Sequence, residues 1–194
     1  GYSPTYVQTI RRVRLKLNPP SMDDQTDDWS RLQLVIRQQA GLTHVDTSLS
    51  ILQQAGSILR EGDWQVTAIL DVQEEAGHAR LLQLLPGRVE DDNPIWGIAV
   101  DIGTTTVTVW LVDVMTGEVK AQASEYNGQI ARGEDVISRI IYASKGDGLV
   151  ELHSLVLGTI NQLIELNCKR QKIKSSYVVK AVIAGNSTMM HLLL

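Results

Sequence analysis

Three apolar, β-branched stretches follow one another between Ile95 and Tyr126 with very little chain between them: IWGIAVDI, TVTVWLVDV and, after the MTGEV turn at Gly117, VKAQASEY. Connections this short cannot carry a crossover, so consecutive strands must run antiparallel and form a meander. Two helical patterns come next, GEDVISRIIYASKG and LVELHSLVLGTINQLIELNCKRQ, around Gly146 and Gly148. YVVKAVIAGN then places β-branched residues on both faces, as a buried parallel strand does, and STMMHLLL begins another helix. The predicted order is β-β-β-α-β-α.

Upstream, the pattern is different. TYVQTIRRVRLKL alternates at Val7, Val13, Leu15 and Leu17, the signature of a half-buried strand. DDWSRLQLVIRQQAG reads as a helix with Asp27 or Asp28 as N-cap and Gly41 as stop, and TSLSILQQAGSILREG as a second with Thr47 or Ser48 as cap. WQVTAILDV and ARLLQLLPG follow as strands joined by QEEAGH, a turn containing Gly77. The stretch LPGRVEDDNP mixes breakers with acidic charge and marks a join near Asn93. The expected organisation is therefore a small α+β module over 1–93 and an α/β lobe over 94–194.

Composition removes several classes of function. Net charge is −4, with 9 basic against 13 acidic residues up to Pro94 and 9 against 9 from Ile95 onward. Neither half carries the basic excess of a nucleic-acid binder. No apolar run reaches the ~18 residues of a membrane helix, and the N-terminus does not read as a signal peptide, so a cytoplasmic protein is expected. Cys168 is the single cysteine, which excludes an internal disulfide and a cysteine-ligated metal site; within LIELNCKRQ it reads as an idle thiol. His44 and His78 stand apart in sequence without ligands at metal spacing and read as surface or turn residues.

The segment VDIGTTTVTVWLVD poses the chemical question. Asp and Gly both disfavour strands, yet Asp101 and Gly103 interrupt one. Gly103 is expected to take positive φ and, lacking a Cβ, to let a ligand approach the backbone. The amides of Gly103, Thr104, Thr105 and Thr106 are expected to form an anion-binding concavity, with threonine hydroxyls adding uncharged donors. Asp101 is a hard oxygen ligand suited to Mg²⁺. Together these residues describe a site for a Mg²⁺-bound phosphate. The simpler account is a hairpin whose threonines follow β propensity.

On those residues the chain resembles the acetate and sugar kinase, seventy-kilodalton heat-shock chaperone and actin superfamily, whose lobes are ribonuclease-H-like. Three segments together, VDIGTTTVTVWLVDVMTGEV, NGQIARGEDVISRI and VIAGNSTMMHLLL, resemble one family within it: the ATP-dependent reductive activators of corrinoid proteins. The resemblance covers about Ile95 to Leu194, and the first module looks like the middle domain of those activators. It implies a small α+β middle module followed by an incomplete ribonuclease-H-like, actin-like ATPase lobe. It further implies a parent protein that uses ATP and Mg²⁺ to pass a low-potential electron from a plant-type 2Fe-2S ferredoxin domain to a cob(II)amide corrinoid protein of a methyltransferase system. The ferredoxin cysteines and the second half of the ATPase are absent from this sequence, so a fragment inactive by itself is expected; dimerisation of the parent stays open.

The resemblance also suggests roles in the loop after the fourth strand, where ligands of open α/β sheets gather. Gly185 would approach the nucleotide, and Asn186 and Thr188 would join Asp101 in positioning the attacking water or acceptor. Ser187 is alternatively a plain helix cap, His191 a packing or surface residue, and Met115, Met189 and Met190 packing residues. In NGQIARGEDVISRI, Gly133, Glu134 and Asp135 read as helix capping, with Asn127, Arg132 or Asp135 lining a nucleotide or partner cleft as the alternative. Three rivals remain: a two-metal nuclease using Asp101 and Glu134, a sugar- or acetate-kinase-type phosphotransferase lobe, and a non-catalytic binding module.

Overall fold

The structure, a computed structural model, describes residues 9–194. Val7, assigned above to the first strand, lies outside them. The chain divides into two compact units, Gly1–Asn93 and Pro94–Leu194.

The first unit is built on a four-stranded sheet in the order β1-β3-β4-β2, comprising β1 (Ile10–Lys16), β2 (His44–Thr47), β3 (Gln65–Gln73) and β4 (His78–Pro86). β1, β3 and β4 pair antiparallel, and β2 adds to β4 in parallel. Helix α1 (Asp28–Ala40) starts at Asp27, whose side chain accepts from the Ser30 amide. It stops at Gly41, where φ of 67° suits a residue without a Cβ. Helix α2 (Leu49–Glu61) is capped by Ser48. The two helices bury Leu32, Ile36, Ala55 and Leu59 against Leu15, Val45, Val66, Ala68, Leu70 and Leu81 of the sheet. The join after β4 is tied down: Arg12 donates to Glu90 O at 2.7 Å and Arg14 to Val89 O at 2.8 Å.

Strand β2 is absent from the sequence-based expectation, and it changes the status of two histidines. Thr43 N and His44 N both donate to Gly77 O, at 2.8 and 3.2 Å, and fix a register that sets His44 opposite His78. The two are therefore neighbours, although 34 positions separate them in sequence.

The second unit is a sheet in the order β7-β6-β5-β8, comprising β5 (Trp96–Ile102), β6 (Thr106–Asp113), β7 (Val119–Tyr126) and β8 (Val178–Gly185). The first three form the expected meander, and β8 returns parallel to β5. This is the ribonuclease-H-like arrangement. Helices α3 (Val136–Ala143), α4 (Gly148–Arg170) and α5 (Ser187–Leu193) complete the unit. Leu152, Val156, Ile160, Leu163 and Asn167 form one stripe of α4 at helical spacing, buried against Val107, Val109 and Leu111. Each of these aliphatic side chains contributes on the order of 1.5–3 kcal/mol of gross burial energy. Asn167, fully buried, donates to Val109 O at 2.9 Å and pins the helix over the sheet.

Two expectations are corrected here. β8 is parallel but not buried: among the described residues it pairs on one side only, and Val182 is 62% and Ile183 38% exposed. Its β-branched residues thus follow strand propensity rather than coverage. Met115 is 45% exposed in the β6–β7 turn, whereas Met189 is fully buried.

Candidate functional site

The alternation of β5 sends Ile98, Val100 and Ile102 into the core. Asp101 therefore projects from the opposite sheet face, where it is exposed, with Thr108 across from it on β6 and Ala184 on β8. Its carboxylate accepts no hydrogen bond among the described residues.

Residues 103–105 turn the chain. The Gly103 amide donates to Thr106 O at 2.9 Å and closes the hairpin. Gly103 is not in the positive-φ region. A Cβ there would lie 2.7 Å from Thr106 O. The glycine is thus required by the hairpin's own closure, and its amide is already used, which corrects the expectation of a positive-φ residue whose N–H faces a ligand.

What distinguishes this hairpin is how its carbonyls are held. Asn127 Nδ2 donates to Gly103 O at 2.9 Å, Arg139 Nη2 to Thr104 O at 2.5 Å, and the Asn127 amide to Thr105 O at 2.8 Å. All three carbonyls are therefore engaged. The amides of Thr104 and Thr105 have no partner among the described residues. Two consecutive main-chain donors are left free on a backbone whose acceptors are all anchored, an arrangement that favours an anion. Thr106 sits in the ladder opposite Tyr126.

The anchors are themselves buried. Asn127 and Arg139 are both fully enclosed. Asn127 Oδ1 accepts from the Gln129 amide at 3.0 Å, so one side chain caps the 3-10 turn Gly128–Arg132 and holds the hairpin. Arg139 also donates to Gly133 O at 2.8 Å, Gln129 Oε1 at 3.2 Å and Met189 Sδ at 3.3 Å. No carboxylate lies within ion-pair distance of it among the described residues. Burial disfavours its charge and lowers its pKa, and the field of Asp135 offsets part of that. Neither anchor is marked by the sequence pattern; an arginine set among the apolar residues of VISRIIYA is the one trace that Arg139 leaves.

The loop after β8 reaches the same place. Asn186 caps α5, accepting from Met189 N at 3.0 Å, and its Nδ2 lies 3.5 Å from Thr104 Oγ1. The cap is Asn186, not Ser187. A Cβ on Gly185 would meet Ile102 O at 3.1 Å, a close approach that brings the end of β8 against the end of β5. Thr188 is half-buried and its hydroxyl has no partner among the described residues. The structure thus brings Gly103, Thr104 and Asn186 together, with Thr105 and Thr106 exposed beside them.

The NGQIARGEDVISRI residues divide. Asp135 caps α3 in a reciprocal box with Ser138, whose backbone and side-chain hydrogen bonds lower its pKa. Gly133 closes the preceding 3-10 turn, its amide donating to Ile130 O at 3.2 Å, and Glu134 caps neither element. Tyr142 donates to Glu151, and Arg132 pairs with it at 2.6 Å; the hydrogen bond from Tyr142, then that from Arg132, lowers the Glu151 pKa, and the same Tyr142–Glu151 bond raises the Tyr142 pKa. Asn127 alone of the three candidates touches the hairpin. His191 is exposed, and Cys168 is buried, which raises its thiol pKa. Among the described residues, Asp101 and Glu134 join no group of three or more metal-ligating side chains within reach of one ion. No helix among them is long and apolar enough to cross a membrane.

Comparison with known proteins follows the two units. Residues 96–194 match a protein family described as the RACo middle region, and residues 5–91 one described as the RACo linker region. These descriptions put "linker" on the first unit and "middle" on the second, whereas the sequence reading set the middle domain first. The corrinoid activation enzyme RamQ of Eubacterium limosum is 41% identical over 116 residues, covering 59% of this chain and 19% of the relative. A solved reductive activator for a corrinoid, iron-sulfur protein aligns with a TM-score of 0.74 at 36% identity, over 99% of this chain and 30% of that one. An archaeal actin homolog, Ta0583, aligns at 14% identity with a TM-score of 0.32, over 76% of this chain and 59% of that one, too distant to argue from. This chain spans less than a third of either corrinoid-related protein.

Proposed function

The chain belongs to the RACo family, spanning its linker and middle regions, and from that premise we propose that it forms part of an ATP-dependent reductive activator of a corrinoid protein. The second unit supplies one wall of the nucleotide site. The observation that carries this reading is the hairpin whose three carbonyls are tied back while the amides of Thr104 and Thr105 stay free. Those amides and the Thr104–Thr106 hydroxyls would receive phosphate oxygens. Asp101, exposed and without a hydrogen-bond donor, would hold Mg²⁺ directly or through water. Mg²⁺ supplies charge neutralisation to the polyphosphate. Gly185 lets the Asn186 loop close on the hairpin, and Asn186 and Thr188 would orient the group facing the terminal phosphate.

The redox chemistry belongs to the parent protein. A 2Fe-2S cluster held elsewhere in the parent would supply the low-potential electron that a cob(II)amide partner requires. This chain does not fit the cluster: its single cysteine, Cys168, is buried in α4 and has no second thiol to join. The cluster therefore needs cysteines that this chain does not supply, and the partner of the parent would be a corrinoid protein of a methyltransferase system. Binding of nucleotide would favour one arrangement of the parent over another by differential affinity. The cytoplasm, with its ATP, is the setting this reading requires. Membership of the family disfavours a sugar- or acetate-kinase lobe and a non-catalytic module.

The test is titration of Mg-ATP into the full-length protein and its Asp101→Asn variant, with and without EDTA. The expected result is a loss of about tenfold or more in affinity, or 1.4 kcal/mol, that disappears when Mg²⁺ is chelated. Equal affinity of the two proteins in Mg²⁺ removes the role of Asp101.

A further inference from the structure

The first unit carries a second constellation of chemical groups, independent of the hairpin. Parallel pairing of β2 with β4 sets His44 opposite His78, and the period-two geometry of β2 puts Asp46 on the same face as His44. One ligand-type atom from each of the three lies within 4.8 Å of the others. His78 Nε2 stands 2.7 Å from Asp46 Oδ2. The His44 and His78 rings stack with centroids 5.2 Å apart and planes 17° from parallel. A simple histidine–aspartate pair accounts for one imidazole. It leaves the second unexplained, because the ring nitrogens of His44 have no hydrogen-bond partner among the described residues.

We propose that His44, Asp46 and His78 form a binding site for a divalent transition-metal ion of the Zn²⁺, Co²⁺ and Ni²⁺ group. Two imidazoles and one carboxylate are the donor set these borderline ions take, and three protein ligands leave a further position open to water or a small ligand. Bonds of about 2.0–2.1 Å to one tetrahedral ion set its donor atoms roughly 3.3 Å apart, so the His78–Asp46 pair would open from 2.7 Å to admit the metal, which rotation of the partly exposed side chains allows. Arg80 approaches Asp46 at 3.6 Å, but its side chain is 62% exposed and free to swing to solvent. The excess of acidic over basic residues before Pro94 favours a cation on this unit. The ion would clip β2, an edge strand of four residues, to β4.

The experiment is titration of tag-free protein with Co²⁺, followed by visible absorption and by Zn²⁺ displacement, with thermal unfolding read in parallel. One equivalent should bind, Zn²⁺ should displace it, and saturation should raise the unfolding temperature. His44→Ala, His78→Ala and Asp46→Asn should each weaken binding by about tenfold or more. His44→Ala is the decisive variant, since its side chain is exposed and the His78–Asp46 pair survives in it; circular dichroism establishes that it folds. Absence of saturable binding at one equivalent, or binding unchanged in His44→Ala, overturns the site and leaves only an ion pair.

Discussion

Replacing Asn127 tests whether the hairpin is held from behind. In Asn127→Ala, Gly103 O loses a donor at 2.9 Å and Gln129 N loses an acceptor at 3.0 Å, both around a fully buried side chain. Leaving a buried polar group unsatisfied costs about 1–3 kcal/mol. Water entering the small space left behind recovers part of that. The expected loss is therefore about 2–4 kcal/mol of stability for the second unit. Asn127→Asp sharpens the test. It keeps the acceptor for Gln129 N and the shape, but sets an oxygen against Gly103 O, and should cost at least as much as alanine. The Asn127 main-chain amide still holds Thr105 O in both variants, so the hairpin loosens rather than melts. Urea unfolding followed by far-ultraviolet circular dichroism gives the stability, and Mg-ATP titration of the full-length protein gives the functional consequence, a fall of about tenfold in affinity. A stability loss below about 0.5 kcal/mol, the range of ordinary surface substitutions, with unchanged nucleotide affinity, would refute the anchoring argument.

Gly103→Ala places a Cβ 2.7 Å from Thr106 O; the strain of about 1–3 kcal/mol, offset by about 0.4–1 from the stiffer unfolded chain, should lower the urea midpoint of the second unit. Arg139→Met and Arg139→Lys should both weaken nucleotide binding, because neither reaches Thr104 O and Gln129 Oε1 with a planar fork, and Arg139→Met should cost about 1–3 kcal/mol in urea. In the first unit, the hydrogen bond from Arg31, then those from Thr26, hold the Asp24 carboxyl well below the usual carboxylate range. A lowered native pKa stabilises above the unfolded value and is lost below it, so this contribution should be intact above about pH 4 and drain away as acid is added. Asp24→Asn should flatten the acid limb of a stability-against-pH curve, and an unchanged limb would show the pair contributes nothing.

The meander, the parallel fourth strand and the four longer helices were legible because each rests on local signals: short connections, apolar period and caps such as Asp27 and Ser48. Strand β2 was not, because four residues give two alternations at most, and its partner β4 begins 34 positions from it. Burial of β8 was misjudged since β-branched residues mark strand preference whether or not anything covers them. At the site, Asp101 and the threonines were visible as departures from strand propensity. The roles of Asn127 and Arg139 were not, because a donor aimed at a hairpin carbonyl 24 or 35 residues away leaves no periodic trace. Gly103 was noticed for the right reason, an oddity in a strand, and given the wrong job, since sequence does not separate a glycine that admits a ligand from one that admits its own backbone.

Strand β8 leaves one row of main-chain donors and acceptors without a neighbouring strand among the described residues, flanked by Val182 and Ile183. Such a row is a template on which another extended segment can grow. Where a wider sheet continues across it, the strand is sealed. Where nothing does, copies of the chain should adhere edge to edge as concentration rises, so sedimentation of dilute and concentrated samples becomes a gauge of how much of the lobe has been assembled around it.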